Sequence, residues 1–342
     1  MQSAIALSAA TAAVLFAVAG PASAATTGVT STTVLSSLTG FSSIVADSVH
    51  HEVFVSGAGA DPVEVTDFTG KPISTLTSLG GATALALSQN SDILYAAISG
   101  TDEIAAVNTS TLQEVAVYFT GNGDNPQHLA VIGKDVWFSY GSNGDTGIGV
   151  LDPAALTVKT TAEPAFYGAA VLAASPSAPN TLVAGDSGSS PAVIESFDVA
   201  TGSPVVLAKS DPWAQSDGCG NLQQLAVAAD GTDVIAACGT PYYGSQLTLS
   251  GMTEDAAYQT GPYPNSIAVA PKSGAIAIGV DASSPSVYLF KPGDSTATAT
   301  YQLGGFGTYG LAWDKSGSEL FAATAGATPS ESTVTLNVID VS

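Results

Sequence analysis

Few side chains in this sequence could carry chemistry. Its histidines are His50, His51 and His128, its cysteines are Cys219 and Cys238, and its seven cations are all lysines. His50 and His51 fall in a polar turn. His128 opens the apolar run HLAVI behind Gln127 and could share an interior with Gln127, Gln223 and Gln224. A base needs a partner nucleophile and an orienting third group, so a lone histidine of this kind reads as a hydrogen-bonded filler. No His/Cys cluster has zinc spacing. The stretch SNGDTG (142–147) lacks the series of oxygen ligands that a calcium loop requires and reads as a turn. Paired carboxylates and a nucleophile elbow are also absent at recognisable spacing. No catalytic residue, metal or cofactor is expected.

The aromatic residues are more suggestive. Trp213 and the Tyr242-Tyr243 pair stand in Gly-, Pro- and Asp-rich stretches, as do Tyr167, Tyr263 and Tyr309, with Asp217 close to Trp213. Exposed amphipathic rings stack on sugars or peptides at low entropic cost. The plainer alternative is that these rings cap a core. Tyr140 and Phe306 stand in similar stretches, as do Asp102, Asp124 and Asp145.

The net charge is −22. Phosphate backbones are held by clustered Arg and Lys, so nucleic acid is a poor partner. Forked arginine recognition of phosphate or carboxylate is unavailable. Anionic membrane surfaces should repel such a chain. The charge reads first as a solubility device.

Residues 5–19, IALSAATAAVLFAVA, form a short apolar run, and Ala22-Ser23-Ala24 offers a small-residue cleavage point. No Lys or Arg precedes the run, which departs from the usual pattern. Residues 1–24 are expected to be a cleaved secretion signal and residues 25–342 one domain without a membrane span. An even cysteine count in an exported chain suggests one disulfide, Cys219–Cys238. Two free thiols are the alternative.

One phrase organises the rest. A polar lead-in, a Leu/Ile-Ala run, a turn and a second apolar run begin at Phe41, Gly81, Asn125, Tyr167, Asn221, Tyr263 and Thr308. Each copy reads as strand, turn, strand. A second phrase follows in each unit, as in VEVTDFTGKPIST and IESFDVATGSPVV, where a strand ends in Asp or Asn whose side chain suits the next turn. Asn108-Thr109-Ser110 occupies that place, so the turn explains it better than glycosylation does. Four strands in about 43 residues indicate propeller blades. The expected fold is all-β: a seven-bladed propeller. The last unit ends after its third strand, and TSTTVLSSL (30–38) should complete it.

The phrases PNSIAVAPKSG, ILYAAISGTDEIAAVNTSTL and IESFDVATG resemble the YVTN-type, or YncE-like, secreted seven-bladed β-propellers, a branch of the WD40-like superfold. The resemblance covers about residues 30–342. It implies a fold and carries no catalytic residues. The Tyr-Val-Thr-Asn string itself is replaced by Leu94-Tyr95-Ala96-Ala97.

In such a fold, two sets of loops share one face, and function sits in loops over a rigid scaffold. The aromatic and acidic stretches all fall there. The longest is KSDPWAQSDGCGN (209–221), and a Cys219–Cys238 bridge would pin it, worth about 3 kcal/mol on the entropic account. The leading expectation is a secreted, non-catalytic scaffold binding a glycan, peptide or protein on that face. Related propellers include lactonases and metal-dependent gluconolactonase-like hydrolases, so a channel hydrolase is one alternative. A structural envelope protein is the other. The sequence leaves the oligomeric state open.

Overall fold

The short alternating runs of Val, Ile, Leu and Ala become strands, and Gly, Asn and Asp punctuate them. The computed structural model describes residues 28–342, except 143–144, 162–163, 165, 212–217, 282–284 and 326–332. The expected signal segment, Trp213 and Asp217 lie outside the described residues.

The strands form seven four-stranded antiparallel sheets, taken here as blades 1 to 7. Their inner strands are Phe41–Asp47, Ala82–Leu87, His128–Ile132, Val171–Ala173, Gly220–Val227, Pro264–Val269 and Leu311–Trp313. Each inner strand packs against those of the two flanking blades, and blade 7 returns to blade 1. Such a ring covers every inner strand and leaves only the short outer strands as edges.

The termini close the ring as the sequence predicts. Val29–Val34 is the outer strand of blade 7 and pairs with Val334–Asp340. The strand is shorter than the predicted 30–38. After Val34 the chain turns, and Leu35 and Leu38 drop into the core shared by blades 7 and 1. Apolar burial of these two leucines outweighs continuation of an exposed edge strand.

Cores lie between blades rather than within one. The largest joins blades 4 and 5 and includes Val183, Leu222, Val234 and Cys238. No helix among the described residues is long and apolar enough to cross a membrane.

The two faces of the ring are built differently. On one face lie the turns within blades. Asp67 accepts from the Thr69 and Lys71 amides, and Asp152 from those of Ala154 and Ala155. Asn108 accepts from the Thr111 amide and the Ser110 and Thr111 hydroxyls, which is the turn role expected of it. His50 is also here, its Nδ1 2.7 Å from Oδ2 of buried Asp47. The other face carries the long loops and is called the loop face below.

Candidate functional site

The polar lead-ins of blades 1, 2, 3, 5 and 7 deliver side chains to the mouth of the central channel on the loop face. A left-handed backbone conformation marks the lead-in of five blades: Gly81, Asn125, Asn221, Tyr263 and Tyr309 all have φ between 47° and 83°. In four blades a lead-in residue then leaves the strand register. Pairing skips Ser42, Thr83, Gln223 and Asn265, each at a bulge in its inner strand. A bulge re-aims the extra side chain. Ser42, Thr83 and Gln223 accordingly line a cavity of about 330 Å³ at the channel mouth, together with Gln127, His128, Asn221, Thr308 and Tyr309.

Hydrogen bonds from blade 5 tie part of this mouth together. Gln224 lies buried just below, and its Oε1 accepts from the Ser266 hydroxyl and from the amides of Ile267 and Tyr309, all within 3.0–3.2 Å. One side chain of blade 5 thereby fixes blades 6 and 7. Gln223 Oε1 accepts from the Thr308 hydroxyl at 3.0 Å.

Across the channel, His128 of blade 3 meets Tyr309 of blade 7. Nδ1 and the phenol oxygen are 3.0 Å apart, and the rings lie 5.4 Å centre to centre at 32°. Tyr309 also lines a wider cavity of about 510 Å³ beneath, walled by apolar residues such as Leu85, Leu129, Leu172 and Ile267. The His–Tyr pair is therefore a crossbar between a polar mouth and an apolar shaft. Burial holds the His128 imidazolium down to about 4 and pushes the Tyr309 phenol up. At neutral pH both are uncharged and share one proton between Nδ1 and the phenol oxygen. With its Nδ1 engaged this way and no third group orienting it, His128 has the geometry of a filler.

The predicted aromatic set separates into four groups. His128, Gln127 and Tyr309 meet at the mouth. Tyr242 and Tyr263 meet at the rim between blades 5 and 6, edge to face at 5.4 Å, and are 48% and 51% exposed. Tyr167 stands alone on the blade 4 loop at 76% exposure. Tyr243 points elsewhere: its strand alternation turns it along the blade, and its hydroxyl reaches Glu254 at 3.4 Å. Tyr243 opens the third strand of blade 5 while Tyr242 sits in the bend before it, which divides the two.

Tyr140 and Phe306 do not belong to the face; both are buried. Tyr140 pairs across strands with Gly147, where an added Cβ would lie 2.7 Å from its hydroxyl oxygen. Phe306 lies over Gly279, where a Cβ would come within 2.9 Å of its ring. Each ring fills the space that a glycine leaves open.

The acidic residues of the face are largely committed to holding loops. Asp102 accepts from the amides of Gly123 and Asn125 at 2.9 and 2.8 Å. Asp61 takes the amides of Thr39 and Gly40, and Asp186 those of Tyr167 and Gly188. Asp61 and Asp186 each clasp the loop that leads into their own blade, whereas Asp102 of blade 2 clasps the loop that leads on into blade 3; all three stand in loops between second and third strands. Among the described residues no group of three or more His, Cys, Asp or Glu could hold a metal ion.

Cys219 and Cys238 form a disulfide with Cα atoms 5.4 Å apart. It lies at the loop-face end of blade 5, where Leu222 and Cys238 pair, and it closes the C-terminal end of the 209–221 loop. A disulfide of this kind suits a non-reducing compartment.

No protein-family model and no curated protein matches the chain. Among solved structures it is similar to Kuenenia stuttgartiensis hydrazine synthase, at 17% identity and a TM-score of 0.67, over 89% of this chain and 96% of that one. It is also similar to U3-55K, at 14% identity and a TM-score of 0.70, over 91% of this chain and 98% of that one. At such identities the likeness is one of fold: the chain shares a propeller fold with proteins of widely separated sequence.

Proposed function

We propose that this protein is an extracellular, non-catalytic binding scaffold that takes a glycan, peptide or protein on its loop face. The observation that carries the reading is the contrast between the two faces. One carries short turns that satisfy their own polar groups around the wider end of the channel. The other gathers a polar channel mouth, an exposed Tyr242–Tyr263 pair and exposed Tyr167 on loops clasped by carboxylates. Exposed, pre-positioned rings are what a binding face needs.

The lining of the mouth favours binding over hydrolysis. No carboxylate and no lysine lines it, and its histidine is engaged by a tyrosine. Secretion fits the disulfide and the apolar run at residues 5–19. The resemblance of the repeat phrases to those of the YVTN-type secreted propellers supports the same reading. Trp213 and Asp217, which lie outside the described residues, join the proposed surface on the sequence reading alone.

The test is a thermal-shift screen of the mature protein against sugars, cell-wall fragments, peptides and lactones. A ligand that binds only the folded state raises its apparent stability. A sugar or peptide shift that disappears in Tyr242→Ala, Tyr263→Ala or Trp213→Ala supports the reading. A lactone shift accompanied by turnover refutes it.

A further inference from the structure

We infer that the channel mouth is a subsite for one ring of an uncharged sugar, inserted end-on from the loop face. The inference rests on the binding-scaffold reading and assigns it a ligand class and a place.

Four features of the mouth converge on this class. The first is charge. The chain carries a net charge of −22, yet no ionic side chain lines this cavity. The nearby acids Asp61, Asp102 and Asp186 are turned onto backbone amides. An anion would find no cation, and a metal or ammonium ion would find no carboxylate. A charged group entering such a cavity would lose its hydration without compensation.

The second feature is the kind of polar group. Hydroxyls of Ser42, Thr83 and Thr308 alternate with amides of Gln127, Asn221 and Gln223. Hydroxyls and amides both donate and accept, and so do sugar hydroxyls. These amides hold spare capacity. The Gln127 and Gln223 Nε2 atoms make only 3.4 Å contacts, to Gly141 and Asn221 carbonyls. Such lengths lie beyond the usual range for N–H donors. Among the described residues, the Asn221 side chain and His128 Nε2 have no hydrogen-bond partner.

The third feature is the floor. The His128 and Tyr309 rings both line the cavity and are locked to each other. Locked rings give the C–H face of a sugar ring a surface to pack on. They also cross the channel, so a chain cannot thread past them and must enter by its end.

The fourth is construction. Bulges in blades 1, 2 and 5 each remove a polar residue from the ladder and place it here. Bulges at the same strand position in separate blades fit a shaped site better than a packing accident. The size, about 330 Å³, is at the small end of ligand pockets, as one ring requires.

The test is calorimetric titration of the mature protein with cellohexaose, mannohexaose and N-acetylchitohexaose as uncharged probes. Hexagalacturonate and the chitosan hexamer are the anionic and cationic probes. At least one uncharged probe should bind more tightly than both charged ones. The Gln127→Ala/Gln223→Ala variant should weaken it about tenfold or more, whereas Lys272→Ala on the opposite face should not. Melting of the variant reports its folding. If that variant unfolds, the near-isosteric Ser42→Ala/Thr83→Val variant replaces it with the same expectation. The inference is overturned if a charged hexamer binds more tightly. It is also overturned if the uncharged probe responds only to Tyr242→Ala or Tyr263→Ala, or if no uncharged hexamer binds. In these cases the scaffold reading survives wherever the thermal-shift screen finds a ligand of another class. It fails separately if that screen finds turnover.

Discussion

The two faces of this propeller use aspartate in opposite ways. On the turn face, Asp67 and Asp152 accept from amides two to four residues ahead of them. On the loop face, Asp61, Asp102 and Asp186 each accept from an amide about twenty residues away in sequence, and Asp186 also takes the Gly188 amide of its own loop. The first kind closes a turn that the strands already enforce. The second kind joins two long loops that nothing local would hold together. Acidic residues on the loop face therefore say little about a ligand's charge. Most of those described serve the backbone, and the groups left facing the channel are neutral.

The largest effect expected from breaking this difference lies at the disulfide, the covalent member of the loop-face clasps. Cys219→Ser/Cys238→Ser should lower unfolding free energy by about 3 kcal/mol in denaturant titration, since the bridge closes a loop of some twenty residues. An effect below about 1 kcal/mol would mean that the blade 5 ladder alone fixes this region.

Next comes the comparison of clasps. Asp102→Ala strands the Gly123 and Asn125 amides and should cost about 2 kcal/mol, whereas Asp67→Ala, in a turn open to water, should cost about 1 kcal/mol or less. Equal costs would remove the distinction between the faces.

The crossbar predicts a pH dependence. The native pKa of His128 is depressed to about 4 by burial, below the ~6.5 of an unfolded histidine. The contribution is complete above ~6.5 and is lost as pH falls toward 4, because the unfolded chain binds the proton first. Over that window stability should fall by up to about 1.4 kcal/mol per pH unit more in the wild type than in His128→Gln. Parallel curves for the two proteins would show that the imidazole is not held neutral.

The smallest effect is at the rim. Tyr167→Ala should change stability by no more than about 0.5 kcal/mol, because its ring is 76% exposed. A larger loss on melting would make Tyr167 a packing residue.

Much of this was legible in the sequence. The period, the Asp and Asn turns, the missing last strand and the cysteine pair all depend on residues close in sequence or on a repeat count. The site was less so, for two physical reasons. A strand begins between two adjacent residues, which leaves Tyr242 in the bend at the rim and turns Tyr243 into the blade. Aromatic rings settle over glycines on a neighbouring strand or loop, which buries Tyr140 against Gly147 and Phe306 against Gly279. Neither effect is visible along one strand. The mouth itself did leave a signal. Read down the repeat, the third residue of the phrase is polar in blades 2, 3, 5 and 6, as Thr83, Gln127, Gln223 and Asn265. The crossing of His128 and Tyr309 left none, because 181 residues separate them and only ring closure brings them together.

The central claim is that the loop face, and not the turn face, is where this protein meets its ligand. The most direct measurement is hydrogen–deuterium exchange of the mature protein with and without the strongest ligand from the thermal-shift screen. The account predicts slowed exchange in residues 120–127, 163–168, 209–223, 240–243, 261–265 and 304–309, with the turns at 48–51, 68–71, 230–232 and 272–274 unchanged. Protection confined to those turns would contradict it.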